Sequence, residues 1–200
     1  MNTATDELKK ILAAINTRNA EEFFARVDLK NLMDIGYDET TDVLANNCAK
    51  FHELYPKDLF FQFGARILRF YNEKFRRVHL GLINKVIDAY FDGSYKDAKN
   101  FSTTPIKFLA AELNNLLAAV HADFIEEKIF GDRATLAVKM VGDGSSYGKM
   151  IGVLNFVLEF RRRGDEWKIF KIKNVEELVP PILDIAERYW PASWDLGIKI

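Results

Sequence analysis

The stretch that decides the fold is residues 131–174, GDRATLAVKMVGDGSSYGKMIGVLNFVLEFRRRGDEWKIFKIKN. In Arg133 to Val141 the apolar residues alternate: Ala134, Leu136, Val138 and Met140 fall on one face, Arg133, Thr135 and Lys139 on the other. That period of two is the signature of a strand with one buried side. Met150 to Arg162 reads as a longer strand, and Gly164-Asp165-Glu166 turns the chain into a further strand, Trp167 to Lys173. Some 120 residues of almost pure helical pattern come first. Helices followed by a meandering antiparallel sheet imply an α+β fold, not alternating α/β.

Working outward, Thr5 reads as the N-cap of a helix over Asp6–Asn16, and Asn19 as the cap of a short second one. Asp28 starts a third, which Gly36 is expected to end. A helix over Asp38–Tyr55 should follow, then, after Pro56, a long helical pattern from Asp58 to Phe91. A straight helix of that length would be about 50 Å long, so a bend or break near Asn72 or Gly81, or an elongated molecule, is expected. Asp92 to Ser102 reads as a loop and a candidate hinge or lid. Thr104-Pro105 starts a helix running to about Val120, and His121–Phe130 is the first strand. Val175 to Tyr189 reads as a closing helix interrupted at Pro180-Pro181, and the tail from Trp190 is apolar enough to dock. The whole is one domain, 1–200. Its helical region covers 1–120, a sheet of three to four strands occupies 121–174, and the closing helix and tail fill 175–200.

Composition narrows the function classes. The 200 residues are 48% hydrophobic with 16 Phe, enough for a large core, and the net charge of −1 is evenly spread. Nucleic-acid binding, which calls for a basic excess or face, is not expected. One cysteine allows no intrachain disulfide and slightly favours a reducing, cytoplasmic compartment. No apolar run is long enough for a transmembrane segment, and the first residues do not read as a signal peptide. A removed leader or anchor stays open.

Gly164-Asp165-Glu166-Trp167-Lys168-Ile169 resembles the final strand-turn-strand of cystatin-like and nuclear-transport-factor-2-like α+β folds. The run Ala14-Ile15-Asn16-Thr17-Arg18-Asn19-Ala20-Glu21-Glu22-Phe23, followed by Val27-Asp28-Leu29, is similar to the opening of uncharacterised bacterial families of that type. The resemblance covers about a third of the chain and implies a curved sheet packed on helices with a pocket between them. Residues 38–100 would then be a helical insertion, able to fill or roof that pocket.

Few side chains point to chemistry. Cys48 and His52, four apart on one helix, would share a face and could pair as nucleophile and base. More commonly such a Cys is a small core hydrophobe. His121 and Asp123 share a strand face, where a carboxylate can orient an imidazole for general-base work; an exposed strand edge is the plainer reading. Asn155 lies between Val153 and Val157 on its own face, so it reads as a buried amide needing partners, from a ligand or from the protein. Arg66, Arg69, Lys74, Arg76 and Arg77 give the long helix a basic side, suited to an acidic partner or simply solvated. Gly142 to Gly148 is Gly-rich but precedes a strand, so it reads as a hairpin loop rather than a phosphate loop. No metal or cofactor is expected.

These readings favour a non-enzymatic binding or interaction module for a protein or a small apolar ligand, with a homodimer left open. The alternative is an enzyme or ligand-binding protein with a pocket between sheet and helices, using His121, Asp123 or Asn155.

Overall fold

The computed structural model describes residues 3–56, 58–164 and 166–189. The turn residue Asp165 and the tail from Trp190 lie outside the described residues. The chain folds as α+β, helices first and sheet after. Four strands, β1 (Val120–Phe130), β2 (Arg133–Gly142), β3 (Val153–Arg163) and β4 (Glu166–Ile172), form an antiparallel meander in sequence order. Register follows the alternation. Leu136 faces Leu158, Val138 faces Phe156 and Met140 faces Leu154. Leu136, Val138, Phe160, Trp167 and Ile169 are buried against Ala4, Leu8 and Ile11 of α1 (Ala4–Thr17).

The two sheet edges are handled differently. Beside β4, Val27 forms a single parallel bridge to Ile169, and the Asp28 N–H donates to the Ile169 carbonyl at 3.0 Å. The turn between α2 (Ala20–Arg26) and α3 (Leu29–Asn46) thus covers that edge. Among the described residues no further strand pairs with the β1 edge, which is bulged between Phe124 and Glu126 and charged at Glu126 and Lys128, features that discourage edge-to-edge pairing. Glu127 reaches over to the start of α1, accepting from the Ala4 N–H at 2.7 Å and the Thr5 hydroxyl at 2.8 Å.

Several helix boundaries differ from expectation. Thr3, not Thr5, caps α1, in a reciprocal capping box with Asp6. Asn19 and Asp28 cap α2 and α3 as read. Gly36 does not end α3, which runs on to Asn46. A glycine in a helix costs only about 1 kcal/mol, and α3 recovers it by packing on β4, α6 (Ala65–Phe91) and α9 (Val175–Tyr189). The break falls instead at Asn47, whose side-chain amide donates to the Val43 carbonyl at 2.9 Å. A short α4 (Cys48–Leu54) follows.

The long helical pattern divides neither at Asn72 nor at Gly81. It breaks at Gly64, where φ is +81°, between α5 (Leu59–Gln62) and α6 (Ala65–Phe91). The 27 residues of α6 are continuous and span about 40 Å. Arg76 clamps α6 to α3 through Asp34 and Asp38, each at 3.0 Å, and Arg69 pairs with Asp42. The Tyr37 hydroxyl donates to the Asn72 carbonyl at 2.9 Å. A second core cluster joins Phe51, Phe61 and Leu68 to Val175 and Val179, and a third gathers Ala89, Tyr90, Tyr95 and Ala110. The expected lid carries a 3-10 turn, Ser94–Asp97, tied down by Tyr95, which stacks on Tyr90 and is buried. Pro105 opens α7 (Pro105–Ala118).

Candidate apolar site

The even-numbered face of β3 is not wholly covered by α1. Towards its start, Leu154 and Phe156 are only half-buried, and together with Met140 of β2 they floor a cleft of about 320 Å³. Leu116 and Leu117 of α7 and Val120 form one wall. Ile151, at the end of α8 (Ser146–Ile151), closes one end, and Ile182, Ile185 and Ala186 of α9 (Val175–Tyr189) stand opposite. Among the described residues, every lining side chain is apolar and none comes from 38–100. The helical segment that might have filled or roofed such a pocket packs elsewhere: α6 lies against α3 and α7, and Phe51, Phe61 and Leu68 pack on Val175 and Val179.

Two local features shape this cleft. The first is the connection between β2 and β3. It is not a plain hairpin loop: Ser145 accepts from the Gly148 N–H at 3.0 Å and caps the short helix α8. Gly142 and Gly148 make that turn sterically feasible. A Cβ on Gly142 would sit 1.9 Å from the Gly148 carbonyl oxygen, so the two backbones approach in a way only glycine permits. The Asp143 N–H donates to the Ala119 carbonyl at 2.8 Å, joining this turn to the end of α7. The Asp143 carboxylate accepts from the Ser145 hydroxyl and, at 2.8 Å, from the Ser145 N–H, and these two hydrogen bonds hold its pKa below the usual aspartate value. Tyr147 completes the clasp, donating to Glu112 at 3.0 Å and accepting from Asn115 at 3.1 Å.

The second feature is α9. It runs continuously through Pro180 and Pro181, where an interruption was expected. The prolines lack the N–H groups that would bond the carbonyls one turn back. Packing of Val175, Leu178 and Val179 into the interior holds the helix together regardless. Beyond the prolines, Ile182 is 46% exposed, so the helix leaves apolar surface beside the sheet.

The residues singled out from the sequence lie away from this cleft. Asn155 is not a buried amide. Its side chain is exposed on the opposite, odd-numbered face of β3, across from Lys139. Of the apolar flanks that suggested burial, Val153 is 49% exposed and Val157 is half-buried. Asp123 lies on the other side of Lys139 in the same cross-strand row. His121 and Asp123 have a 3.8 Å Nε2–Oδ1 separation, with side chains 61% and 57% exposed. The sheet thus gathers all three candidates on its outer face, open to water and outside any apolar cone.

Cys48 and His52 do not pair. Cys48 is buried and its thiol approaches the Phe61 carbonyl at 3.4 Å, whereas His52 is exposed. Among the described residues no group of three or more His, Cys, Asp or Glu is placed to hold a metal ion. No described helix is long and apolar enough to cross a membrane.

A polar residue that matters structurally is Asn174, which nothing in the strand or helix pattern singles out. It is 9% exposed and sits just before α9. Its Oδ1 accepts from the Val157 N–H at 2.9 Å, and its Nδ2 donates to the Asn155 carbonyl at 2.8 Å. β4 pairs with β3 only from Leu158 onward. The Asn174 amide therefore takes the place of a further strand residue. An Asn immediately before a helix with Glu at the third helical position was the available signal, though it points to a cap rather than to this bond.

Compared with known proteins, the chain matches no family model, no curated protein and no solved structure. The likeness to cystatin-like and nuclear-transport-factor-2-like folds rests on the quoted residues alone.

Proposed function

We propose that this chain is a binding module that takes a small apolar ligand in the cleft between the sheet and helices α7, α8 and α9. One observation carries the reading: a cleft of about 320 Å³ whose described lining is wholly apolar. That volume is at the lower end of ligand pockets. Apolar surface left in contact with water is stabilised by any occupant that removes it, at roughly 25 cal/mol per Å². An isomerase- or dehydratase-like step would need an acid–base side chain inside the apolar cone. His121, Asp123 and Asn155 face the other way. The resemblance to folds with a pocket between curved sheet and helices supports the same site.

The test is titration with the uncharged fluorescent probe N-phenyl-1-naphthylamine. Saturable binding is expected in the parent protein. Leu154→Trp, which fills the cleft from its floor, should abolish it while leaving the melting temperature unchanged or raised. Undiminished binding in Leu154→Trp would rule out this cleft as the site.

A further inference from the structure

The basic side read along the long helix separates into two sets in the folded protein. Arg69 and Arg76 are used internally, clamping α6 to the carboxylates of α3. Arg66, Lys74, Arg77 and Lys85 are exposed, and among the described residues none has a carboxylate within ion-pair distance. They alternate with large apolar side chains that are also uncovered: Ile67 is 49% exposed, Phe70 61% and Val78 63%. Ile67, Phe70, Lys74 and Val78 are spaced three and four apart, so they form one stripe. The Lys74 ammonium lies 5.9 Å from the Phe70 ring centroid and 5.5 Å from that of Phe75. Only Glu73 and Asp88 bring negative charge to this helix.

We propose that the outward face of α6 docks on an anionic lipid surface, the helix lying in the plane of the interface. This surface is separate from the apolar cleft and does not depend on that reading. A stripe of Phe, Ile and Val among Lys and Arg is the composition of an interfacial helix. The apolar side chains enter the boundary between headgroups and acyl chains, and the cations stay at the headgroups. The helix lies on the membrane and does not cross it, since it is not apolar enough to span. The same charges disfavour a second copy paired in the register that centres the four cations. A two-fold antiparallel pairing centred between Phe75 and Arg76 would set Arg66 opposite Lys85 and Lys74 opposite Arg77. Like charges facing across such a seam are destabilising, whereas anionic headgroups complement all four. Each basic residue near an anionic bilayer contributes about fivefold in binding.

Co-sedimentation of the whole chain with vesicles tests this. One set contains phosphatidylcholine alone, the other equal amounts of phosphatidylcholine and phosphatidylglycerol. Binding to the anionic set at low salt is expected, falling steeply as salt is raised, with little binding to the neutral set. Lys74→Gln combined with Arg77→Gln should weaken binding about thirtyfold. Phe70→Ser combined with Val78→Ser should weaken it at least as much, with the melting temperature and N-phenyl-1-naphthylamine binding unchanged. Equal binding to both vesicle sets, or no loss in either double variant, overturns the proposal. So does a dimer in light scattering that Phe70→Ser/Val78→Ser converts to monomer, which would assign the face to a second copy. A monomer that ignores both vesicle sets also overturns it and leaves an acidic protein partner as the occupant.

Discussion

Replacing Asn174 with Ala isolates one structural device, a side-chain amide that extends a β-sheet. In the parent, the Val157 N–H and the Asn155 carbonyl are met by Asn174 at 2.9 and 2.8 Å. With Ala, both lose their partner. A buried backbone group left unsatisfied costs about 1–3 kcal/mol. Both bonds are partly buried, which places each in the lower half of that range, so a loss of about 2–4 kcal/mol is expected. Asn174→Asp retains an acceptor for Val157. It deprives Asn155 of its donor and puts a second carboxylate beside Glu177, whose Oε2 lies 3.3 Å from Nδ2, so it should destabilise as well. Asn155→Leu provides the contrast. Its side chain is exposed and its contribution comes from the backbone carbonyl, so the change should stay within about 0.5 kcal/mol. Urea denaturation followed by circular dichroism measures all three, provided the slope m is unchanged. A loss below about 0.5 kcal/mol in Asn174→Ala would mean that water satisfies the strand as well as the amide does, and the reasoning would fail.

Other outcomes follow from burial and charge. Phe160 is fully buried, so Phe160→Ala should cost about 3–5 kcal/mol in the same assay; a midpoint like the parent's would show the strand faces to be assigned wrongly. Cys48, buried against Phe61, should react with a thiol reagent at neutral pH only as fast as the protein opens. Rapid labelling of the native protein would contradict its placement. Thr3 hydrogen bonds, from backbone and side chain, hold the Asp6 pKa below its ordinary value. A carboxylate depressed by folding contributes stability above its unfolded pKa and loses it as pH falls through the folded one. The gap in melting temperature between the parent and Asp6→Ala should therefore be full at neutral pH and narrow in strongly acidic solution. A gap that stays constant would remove the charge from the explanation.

The sequence by itself determined the sheet, its order and its buried face, because strand alternation is a local property. Leu136, Val138 and Phe160 are apolar at a period of two, and any other face would expose them. Helix starts at Asn19 and Asp28 were equally legible, since a cap acts on N–H groups within its own first turn; at Pro105, where Thr104 makes no side-chain cap bond, the signal was the proline itself, whose fixed φ suits the first helical position. Helix ends were decided elsewhere. Gly36 and the Pro180-Pro181 pair weaken a helix by amounts that packing against α6, β4 and the interior overrides. How far the other face of β3 is solvated was a tertiary matter. Val153, Asn155 and Val157 look like a buried row, but Val153 and Asn155 are exposed and Val157 is half-buried, while Glu159, next on that face, is buried. The apolar cleft needed α7, α8 and α9 brought together from three separate stretches of the chain. The basic run on α6 could be split into internal clamps and an outward stripe only once α3 had taken Arg69 and Arg76. Spacing along a helix says which residues share a face; only the neighbours brought in by folding decide which face meets water.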